Sequence, residues 1–276
     1  MPLDPGLYVT ATPIGNLRDI TLRALDVLGG ADAIACEDTR MTGRLLSAHG
    51  LKTPMIAYHE HNAETARPKI LARLAAGEAV ALVSDAGTPL ISDPGFKLVR
   101  DARAAGVRVV TIPGPSALTA ALSIAGQPTD RVLFAGFPPA KAGARASFFR
   151  ELANVHATLV FYEGPSRLAA SLAAMAEAFG DRVGVVAREL TKIYEEAVDG
   201  PLSELAARYA AAPPKGEIVV LVAPPEDAAI GMDLDAALIA AMAEMSLKDA
   251  AAAAAEAAGV PKKTAYARAL QLKDGA

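Results

Sequence analysis

A chain of 276 residues with 27 Lys+Arg against 31 Asp+Glu carries a formal net charge of −4, which excludes a protein that coats nucleic acid by charge alone. Hydrophobic residues make up 52% and charged residues 21%, so the chain is not globally disordered, and its length suits two α/β domains and a small third unit. Cys36, the single cysteine, excludes an internal disulfide and a thiolate metal cluster and fits a reducing compartment.

The N-terminus, Met1 to Gly6, has neither the basic region nor the apolar stretch of a secretory leader, and no apolar run reaches roughly 18 residues, so a cytoplasmic protein is expected. A first strand at Leu7 to Val9 runs into Thr12-Pro13-Ile14-Gly15-Asn16-Leu17, a tight strand-to-helix turn. In an open α/β sheet such a turn faces the crevice where ligands collect. One glycine cannot supply the three of a dinucleotide fingerprint, which disfavours a Rossmann-type enzyme.

Helical spacing follows over Thr21 to Leu28, then a strand at Ala33 to Ala35 that leads into Cys36, read as a buried structural thiol. Glu37-Asp38-Thr39-Arg40 comes next and has two readings. It offers carboxylates and a guanidinium for chemistry, or it opens a helix with acidic residues facing the dipole. His59 and His61 in Tyr58-His59-Glu60-His61-Asn62 lack a third ligand at zinc spacing, so no metal site is expected. A helix is read over Arg67 to Ala76.

The strand Val80 to Val83 enters Ser84-Asp85-Ala86-Gly87-Thr88-Pro89-Leu90-Ile91-Ser92-Asp93-Pro94-Gly95. Gly87 permits close backbone approach, Pro89 and Pro94 stiffen the loop, and Ser84, Thr88 and Ser92 offer neutral hydrogen bonds. It reads as a cradle for a small polar molecule, with a rigid structural connection as the alternative. It holds no Lys or Arg, and the chain has no phosphate-binding G-x-x-x-x-G-K-[ST], so a triphosphate is not expected. After a strand at Val107 to Ile112, Pro113-Gly114-Pro115 marks a domain junction, and Ser116 is placed to cap a helix running to Leu122.

The pattern then restarts with strands at Val132 to Ala135, Thr158 to Phe161, Val183 to Val186 and Ile218 to Val222. Lys141 to Arg150 reads as a flexible basic loop, able to touch RNA or simply an exposed connector. Beyond the break Ala223-Pro224-Pro225-Glu226-Asp227 three helices are expected: Leu234 to Met245, Leu247 to Ala258 with a stop at Gly259, and Pro261 to Leu272. They suggest a helix-turn-helix-like unit, or equally an appendage that packs on the body or on a second subunit. Lys262, Lys263, Arg268 and Lys273 make its end basic. The expected division is therefore 1–113, 114–225 and 232–276.

Six motifs in one order resemble the tetrapyrrole methylase superfamily: Thr12 to Asn16, Glu37 to Arg40, Tyr58 to Asn62, Ser84 to Gly95, Ile112 to Ala117 and Phe161-Tyr162-Glu163. Within it they are most similar to the branch acting on small-subunit ribosomal RNA. The match runs from about Leu7 through Val222, and the helical tail is similar to that branch's C-terminal helix-turn-helix extension. Where tetrapyrrole-modifying members carry Gly-Asp-Pro, this chain has Gly87-Thr88-Pro89, a departure that fits the RNA branch.

The resemblance implies a two-domain α/β tetrapyrrole-methylase-like fold with a small C-terminal helical extension, and S-adenosylmethionine folded in the cleft. It further implies 2′-O-methylation of a cytidine in the decoding region of 16S rRNA, an assembled small ribosomal subunit as partner, and a homodimer. Methylation of a small tetrapyrrole or corrin, or a noncatalytic RNA-binding assembly role, are the alternatives. Pro13, Gly87, Thr88, Pro89, Ile91, Ser116, Ala117, Tyr162 and Leu190 carry over as cofactor-lining residues, with Arg188-Glu189-Leu190 and Pro214-Lys215-Gly216-Glu217 closing the adenosine side. A ribose hydroxyl is a poor acid, so a base or a cation is also expected, with Glu37, Asp38, Arg40, His59, Glu60 and Asp85 as candidates. Arg18, Arg40, Arg44, Lys141, Arg145, Lys262, Lys263 and Arg268 are candidates for gripping RNA.

Overall fold

Successive residues of a strand point to opposite faces, and in β4 every one of them is apolar and buried. A strand of that kind belongs at the centre of a sheet covered on both sides. The computed structural model describes residues 3–91, 95–225, 234–258 and 260–274. Ser92, Asp93, Pro94, Glu226, Asp227, Gly259 and the expected start of the helical extension at residue 232 lie outside the described residues. The described chain forms two compact units, Met1–Leu152 with Ala157–Ala223, and Ala153–His156 with Pro224–Ala276.

The first unit holds two sheets. The first takes β1 (Gly6–Thr10), α1 (Leu22–Gly30), β2 (Ala33–Cys36), α2 (Thr39–Ala48), β3 (Met55–Ala57), α3 (Ala63–Ala75), β4 (Ala79–Val83), α4 (Phe96–Ala104) and β5 (Val109–Ile112). Its strand order is β3-β2-β4-β1-β5, parallel throughout. Ala81 and Val83 pack with Tyr8, Val27, Leu28 and Ile34 on one face, while Val80 and Leu82 pack with Leu7, Ile70 and Leu98 on the other. Cys36 is buried on the first of these faces, and burial pushes its thiol pKa up, as a structural thiol requires.

The second sheet is mixed. It takes α5 (Ala117–Ile124), β6 (Val132–Gly136), α6 (Ala142–Leu152), β7 (Thr158–Glu163), α7 (Leu168–Phe179), β8 (Val183–Arg188), β9 (Glu196–Pro201), α8 (Leu202–Ala211) and β10 (Ile218–Val222), in strand order β6-β7-β10-β8-β9. Only the β6–β7 pair is parallel. Aliphatic residues build most of the core, but Phe148, Phe149, Phe161 and Phe179 form one aromatic cluster. Ile14, from the loop after β1, packs into the core beside Val160, Val185 and Leu221 and so joins the two lobes.

Several expectations need correction. Lys141 to Arg150 is no flexible loop: helix α6 begins at Ala142, and Arg145 turns inward, 8% exposed, donating from Nη1 to Ala140 O at 3.2 Å. Helix α3 starts at Ala63 and not Arg67, because Asn62 pins its entry, accepting from His59 N at 2.9 Å and donating to Ala57 O at 2.9 Å. Ser116 stands at the N-cap of α5 without a side-chain capping bond. Strands β3 and β9 have no sequence signal. β3 is three residues at an edge, and β9, Glu-Ala-Val-Asp-Gly-Pro, carries the charges and the proline that edge strands tolerate.

The second unit carries α9 (Leu234–Met242), α10 (Leu247–Ala257) and α11 (Lys262–Asp274) around Leu238, Ala251, Ala254 and Ala269. Arg268 is paired with Asp235 from α9, which fastens α11 inside this unit. Among the described residues no helix is long and apolar enough to cross a membrane.

Candidate active site

Three strand-end loops of the first lobe meet at one point. Thr12 and Gly87 exchange backbone hydrogen bonds of 2.9 and 3.0 Å, and Thr88 Oγ1 donates to Pro115 O at 3.0 Å. Gly87 has φ +80, and a Cβ there would come within 3.3 Å of Ile14 Cγ2. The left-handed backbone demands glycine, and any side chain would also have to shift Ile14 slightly.

Beside this junction, the two lobes enclose a cavity of about 470 Å³. That lies within the roughly 300–1,000 Å³ of small-molecule sites. Ile14, Leu190, Ile218 and Val219 give it apolar walls, and Ser116 and Ala117 bring the first turn of α5 to its edge. Such a turn has N–H groups without intrahelical partners. Glu37, Asp85, Glu163 and Glu217 contribute to its lining, with the Glu163 side chain itself buried behind the wall, and among the described residues no Lys, Arg or His does. Glu163 is matched by Arg167 at 2.7 Å and Glu217 by Lys192 at 2.8 Å. Asp85 Oδ1 accepts from Asp38 N at 2.9 Å, and among the described residues neither Glu37 nor Asp85 forms a salt bridge. Burial, and then the charge of Asp85, push the Glu37 carboxyl above the ordinary range, with His59 pulling the other way.

On the second lobe, Tyr162 makes edge contacts with Phe134 at 4.8 Å and with Phe137 at 5.5 Å. Behind it Glu163, its side chain fully buried, accepts from Gly164 N at 2.7 Å and Ser171 Oγ at 2.5 Å. Leu190 is presented by an unusual turn in which both neighbours are left-handed, Glu189 at φ 52 and Thr191 at φ 66. Such residues cost on the order of 1–3 kcal/mol each and persist only where surroundings over-determine them. Here Lys192 Nζ bridges Glu189 at 2.9 Å and Glu217 at 2.8 Å, Glu217 N donates to Glu189 Oε1 at 3.0 Å, and Thr191 Oγ1 accepts from Asn16 N at 3.2 Å. The last bond ties the turn to the first lobe.

The expected cofactor residues thus divide. Gly87, Thr88, Ile91, Ser116, Ala117, Tyr162 and Leu190 line the cavity, whereas Pro13 and Pro89 are buried beside it. Of the catalytic candidates, Glu37 and Asp85 reach the cavity. Asp38 instead caps α2, accepting from Arg40 N at 2.8 Å, and pairs with the exposed Arg40 guanidinium at 2.6 Å, which holds its carboxyl down at about 2. Glu60 is exposed and off the wall; His59, half-buried, is off the wall too, its ring 6.1 Å from that of His61. Arg18, Arg44, Lys141, Lys262 and Lys263 are exposed, while Arg145 and Arg268 are engaged as described. Phe137, Gly164 and Pro165 were not legible as wall residues; Gly136-Phe137-Pro138-Pro139, directly after a strand, is the signal for the first.

The wall suits a nucleoside that carries positive charge. Apolar and aromatic surfaces accept a flat heterocycle, and the carboxylates of Glu37 and Asp85, without a salt bridge among the described residues, favour a cation such as a sulfonium or ammonium. S-adenosylmethionine has these features.

Two parallel-to-mixed lobes with a cavity at their joined strand ends define a methylase architecture. Residues 6–206 match the family described as Tetrapyrrole (Corrin/Porphyrin) Methylases, and the chain belongs to that family. Residues 228–273 match the RsmI C-terminal HTH domain. The chain is 54% identical to the ribosomal RNA small subunit methyltransferase I of Mesorhizobium japonicum, over 99% of this chain and 94% of that one. It is 50% identical to the protein of the same name from Pseudomonas aeruginosa, over 96% of each. The uroporphyrin-III C-methyl transferase of Thermus thermophilus, solved with S-adenyl homocysteine, shares the fold at TM-score 0.55 and 20% identity, covering 78% of this chain and 96% of that one.

Proposed function

We propose that this chain is an S-adenosylmethionine-dependent methyltransferase acting on small-subunit ribosomal RNA, and that its target is the ribose 2′-oxygen of a cytidine in the decoding region of 16S rRNA. The observation that supports the reading is 54% identity over 99% of the chain to a protein named ribosomal RNA small subunit methyltransferase I, with the helical unit matching the RsmI C-terminal HTH domain. A cavity lined by Glu37 and Asp85, with no cationic side chain on its wall among the described residues, supports the cofactor. We further propose a cytoplasmic homodimer working on the assembled subunit, since a net charge of −4 favours recognition of a shaped target over naked RNA, and segments 1–113, 114–225 and 232–276 as its functional divisions.

S-adenosylmethionine supplies a methyl group already activated on a sulfonium, so the protein's task is alignment, water exclusion and management of one proton. The Gly87 loop and the Leu190 turn both contribute to the wall that fixes orientation. Glu37, with its raised pKa and no salt bridge, accepts the proton that the ribose hydroxyl gives up. Asp85, held by Asp38 N, supplies fixed negative charge toward the cationic ligand.

The test is methyl transfer from tritiated S-adenosylmethionine to small subunits purified from a strain lacking this gene, followed by mapping of ribose methylation. Label at a 2′-oxygen of one 16S cytidine is expected. No label, or label on a base, would remove the assignment.

A further inference from the structure

Among the described residues, Phe137 is the one large apolar side chain that both lines the cavity and is exposed, at 55%. Three rings run outward from the core, Phe134, Tyr162 and Phe137, each in edge contact with the next. Tyr162 shares the inner wall with Leu190, so a ligand enclosed there leaves the outer ring for whatever enters from solvent.

The segment bearing Phe137 is held firmly. Gly136, at φ +67, swings the chain out of β6, where the pairing with β7 shifts register between Phe134 and Gly136. Pro138 follows, and its carbonyl accepts from Arg167 Nη1 at 3.3 Å. Arg167 in turn grips the fully buried Glu163 carboxylate at 2.7 Å, which also holds Gly164 N and Ser171 Oγ. Removing Arg167 would leave the Glu163 carboxylate buried and uncompensated, which keeps the arginine in place. That arginine ends on the residue next to Phe137.

We propose that Phe137 is the stacking platform for the unpaired base of the acceptor nucleotide, with the Glu163–Arg167 pair as its positioning element. The proposal rests on the rRNA reading above. Single-stranded RNA bases are recognised by stacking on aromatic rings, and a preset ring loses little entropy on contact.

The test compares the unaltered protein with Phe137→Ala and Phe137→Tyr, using calorimetry with S-adenosylhomocysteine and steady-state methylation of small subunits that lack the modification. Phe137→Ala is expected to raise KM for the subunit roughly 10- to 100-fold, the range set by loss of one base stack, and to weaken S-adenosylhomocysteine binding by a clearly smaller factor, since the ring also reaches the cavity. Phe137→Tyr should restore KM. A parallel loss of S-adenosylhomocysteine affinity would assign the ring to the cofactor wall, and an unchanged KM would show that it touches no acceptor; either result overturns the platform alone. Failure of the unaltered protein to methylate subunits would overturn the rRNA reading, and the platform with it.

Discussion

Gly216 makes room for the carboxylate of Glu189: a Cβ built on Gly216 would overlap Glu189 Oε1, Cδ and Cγ. Two short stretches far apart in sequence, Arg188-Glu189-Leu190 and Lys215-Gly216-Glu217, are therefore halves of one device that presents Leu190 to the cavity. Gly216 also sits at φ +91. Gly216→Ala should displace Glu189 and relax the turn, lowering affinity for S-adenosylmethionine by an estimated ~10-fold, about 1.4 kcal/mol. Calorimetric titration checks this, and unchanged affinity would show that the turn does not set the wall.

Lys192 bridges the same two glutamates from the other side, and its aliphatic stem covers Gly15 of the first lobe. Lys192→Met keeps the stem and deletes the charge. Affinity for the cofactor should fall, and the acid sensitivity of folding should change. The bond from Lys192 holds the Glu189 pKa below the ordinary value, so this group's stabilisation is present above its unfolded pKa and is lost as pH falls through the lower, folded value. In Lys192→Met that acid-range loss should shrink, which melting curves taken from neutral pH down through and below the ordinary glutamate pKa of about 4.3 would register.

Gly87 answers two demands at once, a left-handed backbone and contact with Ile14. Gly87→Leu should abolish detectable heat with S-adenosylmethionine, because any side chain there pushes into the cavity mouth or displaces Ile14. Circular dichroism should stay close to that of the unaltered protein, since the loop lies outside the strands. Normal binding by this variant would mean that the ligand sits elsewhere.

The sequence made the strands with continuous burial legible, β4 and β10 above all, because five adjacent apolar residues have few other uses. Edge strands β3 and β9 were invisible because one is short and the other polar, and their partners, not their own residues, define them. The first-lobe half of the cavity was readable from Gly87, Thr88 and Ser116. Phe137 and the Lys192 bridge were not, since a ring at a cavity mouth and a lysine between two glutamates are set by tertiary proximity. Arg145 misled for the same reason: its charge suggested a surface, while Ala140 O gave it a partner beneath the helix.

Asp38 tests whether a motif carboxylate is chemical or architectural. It caps α2 through Arg40 N, and Arg40 leans back on it. Asp38→Ala should lower the melting temperature, the usual effect of losing a capping residue. The rate of methyl transfer at saturating substrates should change less than about twofold, because the side chain lies off the cavity wall. A large fall in kcat without a change in melting temperature would return Asp38 to the reaction.

Glu37 makes the opposite pair of predictions. If it takes the hydroxyl proton, Glu37→Gln should lower kcat by roughly 10²-fold or more, the usual contribution of a positioned base. The acid limb of the pH–rate profile should lie above the ordinary carboxylate range, because burial and Asp85 raise the pKa. Asp85→Asn removes the like charge and should slide that limb toward lower pH. Stability runs the other way. A carboxyl with a raised folded pKa contributes fully below its unfolded pKa and loses that contribution as pH rises through the folded value, so the ionised form strains the fold at neutral pH. Glu37→Gln should therefore melt no lower than the unaltered protein at pH 7, and relatively lower at pH 4. A slow variant with no loss of neutral-pH stability separates a proton acceptor from a structural carboxylate, since removing the latter would lower both together.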